Sequence, residues 1–235
     1  MKTIGLLGGM SWESTAVYYE TLNWMVRARL GGLHSARCLL FSFDFADVEA
    51  AQASGDWDRA RDLMVAAARN LERGGADCLV ICTNTMHKVA GDVQAAVAIP
   101  LIHIAHATAK AVAGSPSKAP LLLATRYTME QDFYTGYLSG YHGLDVIVPP
   151  QDDREIVHRI IYEELCRGVI LPASKQACLE IAGRAIAAGA DGVIFGCTEI
   201  GLLISAADFS VPSFDTTTLH AEAALDFALG GLTAS

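Results

Sequence analysis

Gly75-Ala76-Asp77-Cys78-Leu79-Val80-Ile81-Cys82-Thr83-Asn84-Thr85 and Gly189-Ala190-Asp191-Gly192-Val193-Ile194-Phe195-Gly196-Cys197-Thr198-Glu199 are two copies of one pattern. Each reads as a helix end, a short buried strand, then small hydroxyl and thiol side chains where the strand stops. Aligned without a gap on Gly-Ala-Asp, the copies set Cys197 against Thr83 and Gly196 against Cys82. The two conspicuous cysteines are therefore one register apart. A second pair of segments repeats in the same order, since Ile4-Gly5-Leu6-Leu7-Gly8-Gly9-Met10-Ser11 is similar to Pro120-Leu121-Leu122-Leu123-Ala124-Thr125-Arg126-Tyr127. Two strand-turn pairs repeated in order at nearly one separation point to two related α/β lobes, with ligands expected at the carboxyl ends of parallel strands.

Apolar runs of five to eight residues alternate with longer stretches of helical period, the pattern of α/β proteins with parallel sheets flanked by helices. Strands are expected at 3–7, 37–43, 78–81, 101–102, 121–124, 144–148, 193–195 and 211–213, and helices at 13–30, 57–73, 85–97, 105–113, 129–139, 154–167, 173–188 and 217–229. Gly114-Ser115-Pro116-Ser117-Lys118 is linker-like. The expected division is a first lobe of residues 1–100 plus 212–235 and a second of 101–211, with the last strand and helix returning to the first lobe. The active site is expected in the cleft between the lobes.

Of 235 residues 52% are hydrophobic and 18% charged, with a net charge of −9. That is the composition of a compact soluble chain with a sizeable core. An acidic surface repels phosphate backbones, which argues against a nucleic-acid partner. The apolar region 99–113 is broken by Pro100, His103, His106 and Lys110, so no stretch approaches the roughly 20 apolar residues of a bilayer span. The start runs directly into a strand without a cleavage pattern, and a cytoplasmic location is the expectation. Six scattered cysteines with no Cys-x-x-Cys pair read as reduced thiols, and seven histidines without ligand spacing give no metal site. None of the five lysines stands at a strand end where a pyridoxal Schiff base would form. Gly8-Gly9-Met10-Ser11 lacks nucleotide-loop spacing and suits close approach of backbone to a small ligand, with Ser11 capping the next helix.

Cys197 ends a strand with a helix amino terminus expected just beyond, where exposed amides and the helix dipole lower a thiol's pKa. Cys38, Cys78, Cys166 and Cys178 read as inert buried thiols. Thr83, Asn84 and Thr85 are ordinary helix caps, yet such a run at a helix start also suits a carboxylate. His87 either assists proton transfer or covers the helix surface. Asp44, Asp47, Asp56 and Asp58 read as loop and cap residues.

Over almost its whole length the chain resembles the cofactor-independent aspartate/glutamate racemase superfamily, most closely its amino-acid racemase branch. The likeness is carried by Ile4-Gly-Leu-Leu-Gly-Gly-Met-Ser-Trp-Glu-Ser-Thr15, Cys82-Thr-Asn-Thr-Met-His-Lys-Val89, Thr125-Arg-Tyr-Thr-Met-Glu130 and Gly196-Cys-Thr-Glu-Ile200. The resemblance implies two pseudo-symmetric lobes, a homodimer, no cofactor, and proton exchange at the α-carbon of an acidic amino acid. Typical members place one cysteine on each face of the substrate, the first directly before Asn-Thr and the second directly before Thr. Here Thr83 holds the first of those places and Cys197 the second. A racemase of L-aspartate or L-glutamate is implied, with Cys197 as thiolate base and Thr83, directly or through water, returning a proton on the opposite face. Met10, Gln52, Asn84, Thr85, Thr125, Thr198 and Glu199 would line the pocket. Asn84, Thr85 and Thr198 suit the α-carboxylate, Glu199 suits the ammonium, and Arg126 is the nearest cation for the side-chain carboxylate. The alternatives are a non-catalytic amino-acid or dicarboxylate-binding protein and a single-cysteine decarboxylase of a malonate-type acid.

Overall fold

The computed structural model describes residues 1–230, the side chain of Tyr141 excepted, so residues 231–235 of the expected first lobe lie outside the described residues. The chain divides into two compact units: Met1–His103 with the chain from His220 onward, and Ile104–Leu219. The first unit runs β1 (Ile4–Gly8), α1 (Trp12–Leu30), β2 (Cys38–Ser42), α2 (Phe45–Ser54), α3 (Trp57–Arg73), β3 (Cys78–Ile81), a 3₁₀ turn (Thr85–Val89), α4 (Ala90–Ala95) and β4 (Leu101–Ile102). Its sheet has the order β2-β1-β3-β4, with every pairing parallel. The second unit runs α5 (Ile104–Ala113), β5 (Pro120–Leu123), α6 (Arg126–Glu130), α7 (Asp132–His142), α8 (Gln151–Arg159), α9 (Pro172–Ala187), β6 (Gly192–Phe195), α10 (Ile200–Leu203) and β7 (Ser213–Asp215). Its sheet is β5-β6-β7, again parallel. The last helix, α11 (Thr216–Leu229), begins in the second unit and ends in the first.

The repeat seen in the sequence is a repeat of hydrogen bonds. Asp77 accepts the Thr3 amide at 2.6 Å and its own amide bonds the Thr3 carbonyl at 2.8 Å, which pins the start of β1. Asp191 does the same at β5, accepting the amides of Lys118 and Ala119 at 2.7 and 2.9 Å and donating to the Ala119 carbonyl. At the other end of the strands, the Cys82 amide bonds the Leu7 carbonyl at 2.9 Å and the Gly196 amide bonds the Leu123 carbonyl at 2.8 Å. Thr83 and Cys197 each stand one residue past these matched bonds.

Strand alternation sorts the first unit's core into two layers. Cys78, Val80 and Cys82 pack with Tyr18, Leu22 and Val26 of α1 and with Ala221, Ala224 and Leu225 of α11. Leu79 and Ile81 pack on the other layer with Val48 of α2 and Ala60, Met64 and Ala67 of α3. In the second unit β5 and β6 share one core with residues of α5, α7, α8 and α9.

Several expectations need correction. Leu101–Ile102 belongs to the first sheet, in register with Leu79 and Val80, and not to the second lobe. The final strand stays with the second sheet, where Val193 faces Ser213 and Phe195 faces Asp215, instead of returning to the first lobe. The open edge of β6 accepts it, and the Thr216 hydroxyl fixes the corner by donating to the Phe195 carbonyl at 2.7 Å. The strand expected at 144–148 reduces to a single bridge between Leu121 and Ile147, because Pro149-Pro150 follow and supply no amide to extend a ladder. Helix α2 was not expected; Asp44 starts it by accepting the Ala46 amide, and Asp56 caps α3 by accepting the Arg59 amide. The helix expected at 129–139 is α6 and α7, broken at the extended Gln131.

Candidate active site

The first unit contributes the end of β3. Thr83 is 9% exposed, its amide bonds the Ile81 carbonyl at 2.8 Å, and its carbonyl accepts a hydrogen bond from His87 Nδ1 at 2.8 Å. Asn84 and Thr85 follow, both buried. The helix expected at 85–97 forms as the five-residue 3₁₀ turn continued by α4, and Asn84 does not cap it with its side chain. Met10 and Gln52 are buried in the same unit, with Gln52 Nε2 3.1 Å from Met86 Sδ. Ser11 caps α1 as expected, accepting the Ser14 amide. The neighbouring glycines have an internal explanation. Gly9 has φ +82°, a Cβ there would meet the Phe43 carbonyl oxygen at 2.4 Å, and its amide already bonds Thr15 Oγ1 at 2.8 Å.

Cys82 is wholly buried in the layer formed with α1 and α11, and burial pushes its thiol far above the ordinary value. A thiol so placed is a small core hydrophobe.

The second unit contributes the end of β6. Cys197 is 6% exposed, and Thr198 and Glu199 are buried beside it. The Cys197 thiol donates to Glu199 Oε2 at 3.0 Å, and the Thr198 hydroxyl donates to the same oxygen at 2.7 Å. Glu199, expected to face a substrate ammonium, is thus the partner of the thiol. The pKa of Cys197 is correspondingly raised well above the ordinary thiol value, by burial first and then by the charge of Glu199. The expected lowering is confined to the Glu199 backbone amide and is outweighed by burial and the Glu199 charge; α10 is four residues long and starts only at Ile200. At neutral pH Cys197 is a thiol whose proton has a carboxylate waiting 3.0 Å away. Gly196, before it, is required by packing, as a Cβ there would lie 2.4 Å from Leu122 Cδ1.

Thr125 caps α6, its hydroxyl accepting the Thr128 amide at 3.4 Å and lying 3.2 Å from Thr128 Oγ1. Arg126 is exposed and its guanidinium lies over the Tyr127 ring, 5.2 Å from the centroid. Among the described residues no lysine or arginine is buried.

The structure thus gathers Met10, Gln52, Thr83, Asn84 and Thr85 in the first unit and Thr125, Cys197, Thr198 and Glu199 in the second. It adds one residue read as inert. Helix α8 widens into a π-turn at Ile160–Glu164, and the following 3₁₀ turn Leu165–Arg167 brings Cys166 Sγ to 3.7 Å from Glu199 Oε1. Nothing in the sequence near Cys166 signals this, because the contact crosses from residue 166 to residue 199 and lies outside the repeated segments.

Two parallel-sheet α/β units thus repeat the same strand end, one of them presenting a buried thiol against a carboxylate. The chain belongs to the Asp/Glu/hydantoin racemase family, whose model matches residues 7–224. A crystal structure from Yersinia pestis, provisionally assigned as an Asp/Glu racemase, is 54% identical, covers 97% of this chain and 100% of its own, and superposes with a TM-score of 0.89. An aspartate racemase homologue from Pyrococcus horikoshii is 33% identical, with 97% and 99% covered and a TM-score of 0.83. The broad specificity amino-acid racemase RacX of Bacillus subtilis is 22% identical over 174 residues, 71% of each chain.

Proposed function

We propose that this protein exchanges the α-proton of L-aspartate or L-glutamate without a cofactor, with Cys197 on one face of the α-carbon and Thr83 on the other. The observation that carries it is the thiol–carboxylate pair of Cys197 and Glu199 at 3.0 Å. A bound amino acid brings an ammonium, and its positive charge offsets the repulsion that keeps the thiol protonated beside Glu199. Cys197 passes its proton to Glu199 Oε2 and, as thiolate, takes the α-proton. The charge released onto the substrate carboxylate is met by the polar strand-end groups, for which Asn84, Thr85 and Thr198 are the candidates. Reprotonation on the opposite face falls to Thr83 or a water it holds. A threonine hydroxyl is a far weaker acid than a thiol, so the two directions are unequal and the L-isomers are the substrates from which Cys197 draws the proton.

The test is incubation in heavy water with each acidic amino acid and no additive, followed by mass and chiral analysis. Deuterium enters the α-position of L-aspartate or L-glutamate, and Thr83→Cys raises the rate and extends it to the D-isomers. Tight binding with no exchange would instead establish a binding protein, and carbon dioxide release from a substituted malonate a decarboxylase.

A homodimer fits the exposed side of α1, where Trp12 is 68% exposed and Trp24 59%, with Tyr19 also exposed and Leu33 exposed in the turn just past the helix. Light scattering is expected to give twice the chain mass, and Trp24→Glu to give a monomer; a monomeric parent chain sinks the assignment. No helix of the described residues is long and apolar enough to cross a membrane. All six cysteines are free, which suits a reducing, cytoplasmic setting for a thiol-dependent site.

A further inference from the structure

Three histidines that the mechanism above does not use meet in the first unit. His87 packs edge-on against His103, ring centroids 4.7 Å apart, and against His220 at 5.6 Å. Tyr18 Oη lies 2.8 Å from His220 Nδ1, and His220 Nε2 lies 2.6 Å from the Ile102 carbonyl. A carbonyl only accepts, so His220 carries its proton on Nε2 and accepts a hydrogen bond from the Tyr18 hydroxyl at Nδ1. By the same logic His87 carries its proton on Nδ1, the atom 2.8 Å from the Thr83 carbonyl. Burial holds both rings neutral, pushing His220 down to about 4 and His87 well below the ordinary histidine value.

We propose that His87 is a positioning residue for Thr83: its fixed Nδ1–H holds the Thr83 carbonyl and so sets the orientation of the Thr83-Asn84-Thr85 strand end. This rests on the role given to Thr83 above. The carbonyl lies past Ile81, the last residue of β3, where the sheet ladder no longer orients the backbone. The ring that replaces the ladder is itself locked by its neighbours. His103 and His220 are also the residues at which the chain leaves the first unit and re-enters it, so both crossing points pack against the group that holds Thr83.

Two isosteres separate positioning from simple packing. Asparagine places its amide nitrogen where imidazole has Nδ1, whereas glutamine places it where imidazole has Nε2. His87→Asn is expected to keep kcat for exchange within about threefold, and His87→Gln to lower it about 10²-fold, the scale of an ångström-sized misplacement, with KM little changed. Equal kcat values for the two variants overturn the proposal. A second readout needs no catalysis. In a Thr83→Cys background, iodoacetamide labelling of the introduced thiol, followed by peptide mass spectrometry, is expected to differ at least about fivefold between His87→Gln and His87→Asn, with His87→Asn matching the parent. Equal labelling rates overturn the positioning role even in a folded, inactive protein, whereas absence of exchange in the unmodified chain with unequal labelling rates overturns only the racemase assignment.

Discussion

Cys197→Ser removes measurable α-proton exchange, a loss of about 10³-fold or more, while Cys82→Ala leaves exchange within about twofold of the parent chain. Proton transfer by a positioned group contributes about 10²–10⁴-fold, and serine cannot supply the base at neutral pH. The contrast with Cys82 follows from the faces of β3. Its thiol is buried among Tyr18, Leu22 and Ala224, so truncation there creates a small void in the core and no change at the strand end. Glu199→Gln sharpens the test, because it acts on reactivity and turnover in opposite senses. Without the carboxylate charge the Cys197 thiol ionises more readily, and iodoacetamide labels it faster near neutrality. Exchange nevertheless falls, by about tenfold or more, since the amide cannot take the thiol's proton. Comparable loss of exchange in Cys82→Ala and Cys197→Ser would show that the register of the repeat has been misassigned.

Acid destabilises this protein through a buried histidine. His220 is buried and neutral in the folded chain with its pKa lowered to about 4, against about 6.5 when unfolded. Between those values the unfolded chain binds a proton that the folded chain excludes, so stability rises with pH through the window and is lost as pH falls from 6.5 towards 4. The linkage for His220 alone is on the order of 3 kcal/mol, a large share of a typical folding free energy of about 5–15 kcal/mol. His87 adds to the same side. Urea midpoints measured at pH 7 and pH 4.5 are expected to fall steeply for the parent chain and less for His220→Gln, which begins less stable at pH 7 because Tyr18 loses its acceptor. A parent midpoint indifferent to pH over that range would remove this account.

The sequence disclosed what is local and repeated. Gly-Ala-Asp, a four-residue apolar run and a polar strand end sufficed to locate β3 and β6, because each Asp pins a neighbouring strand and each run is buried on both faces. Cys82 was separable from Thr83 because successive residues of an extended chain point to opposite sides. What escaped is what depends on partners distant in the chain. The strand expected at 211–213 in the first lobe forms as Ser213–Asp215 on the open edge of β6, a placement no local pattern decides. The raised pKa of Cys197 escaped for another reason: Glu199 is only two residues away, but the sequence does not give the direction in which its side chain turns. His220 and His87 lie 133 positions apart, and no pattern in either neighbourhood announces that their rings meet.

The course of α11 bears on the order in which the protein can form. Its first residues are tied to β6, while Ala221, Ala224, Leu225 and Ala228 complete the layer under β1 and β3. Domains usually fold as they leave the ribosome, amino-terminal first. Here the layer under β1 and β3, begun by Tyr18, Leu22 and Val26 of α1, is completed only when Ala221, Ala224 and Leu225 of α11 are made. The core of the first unit is therefore completed only after residues 104–219 have been made.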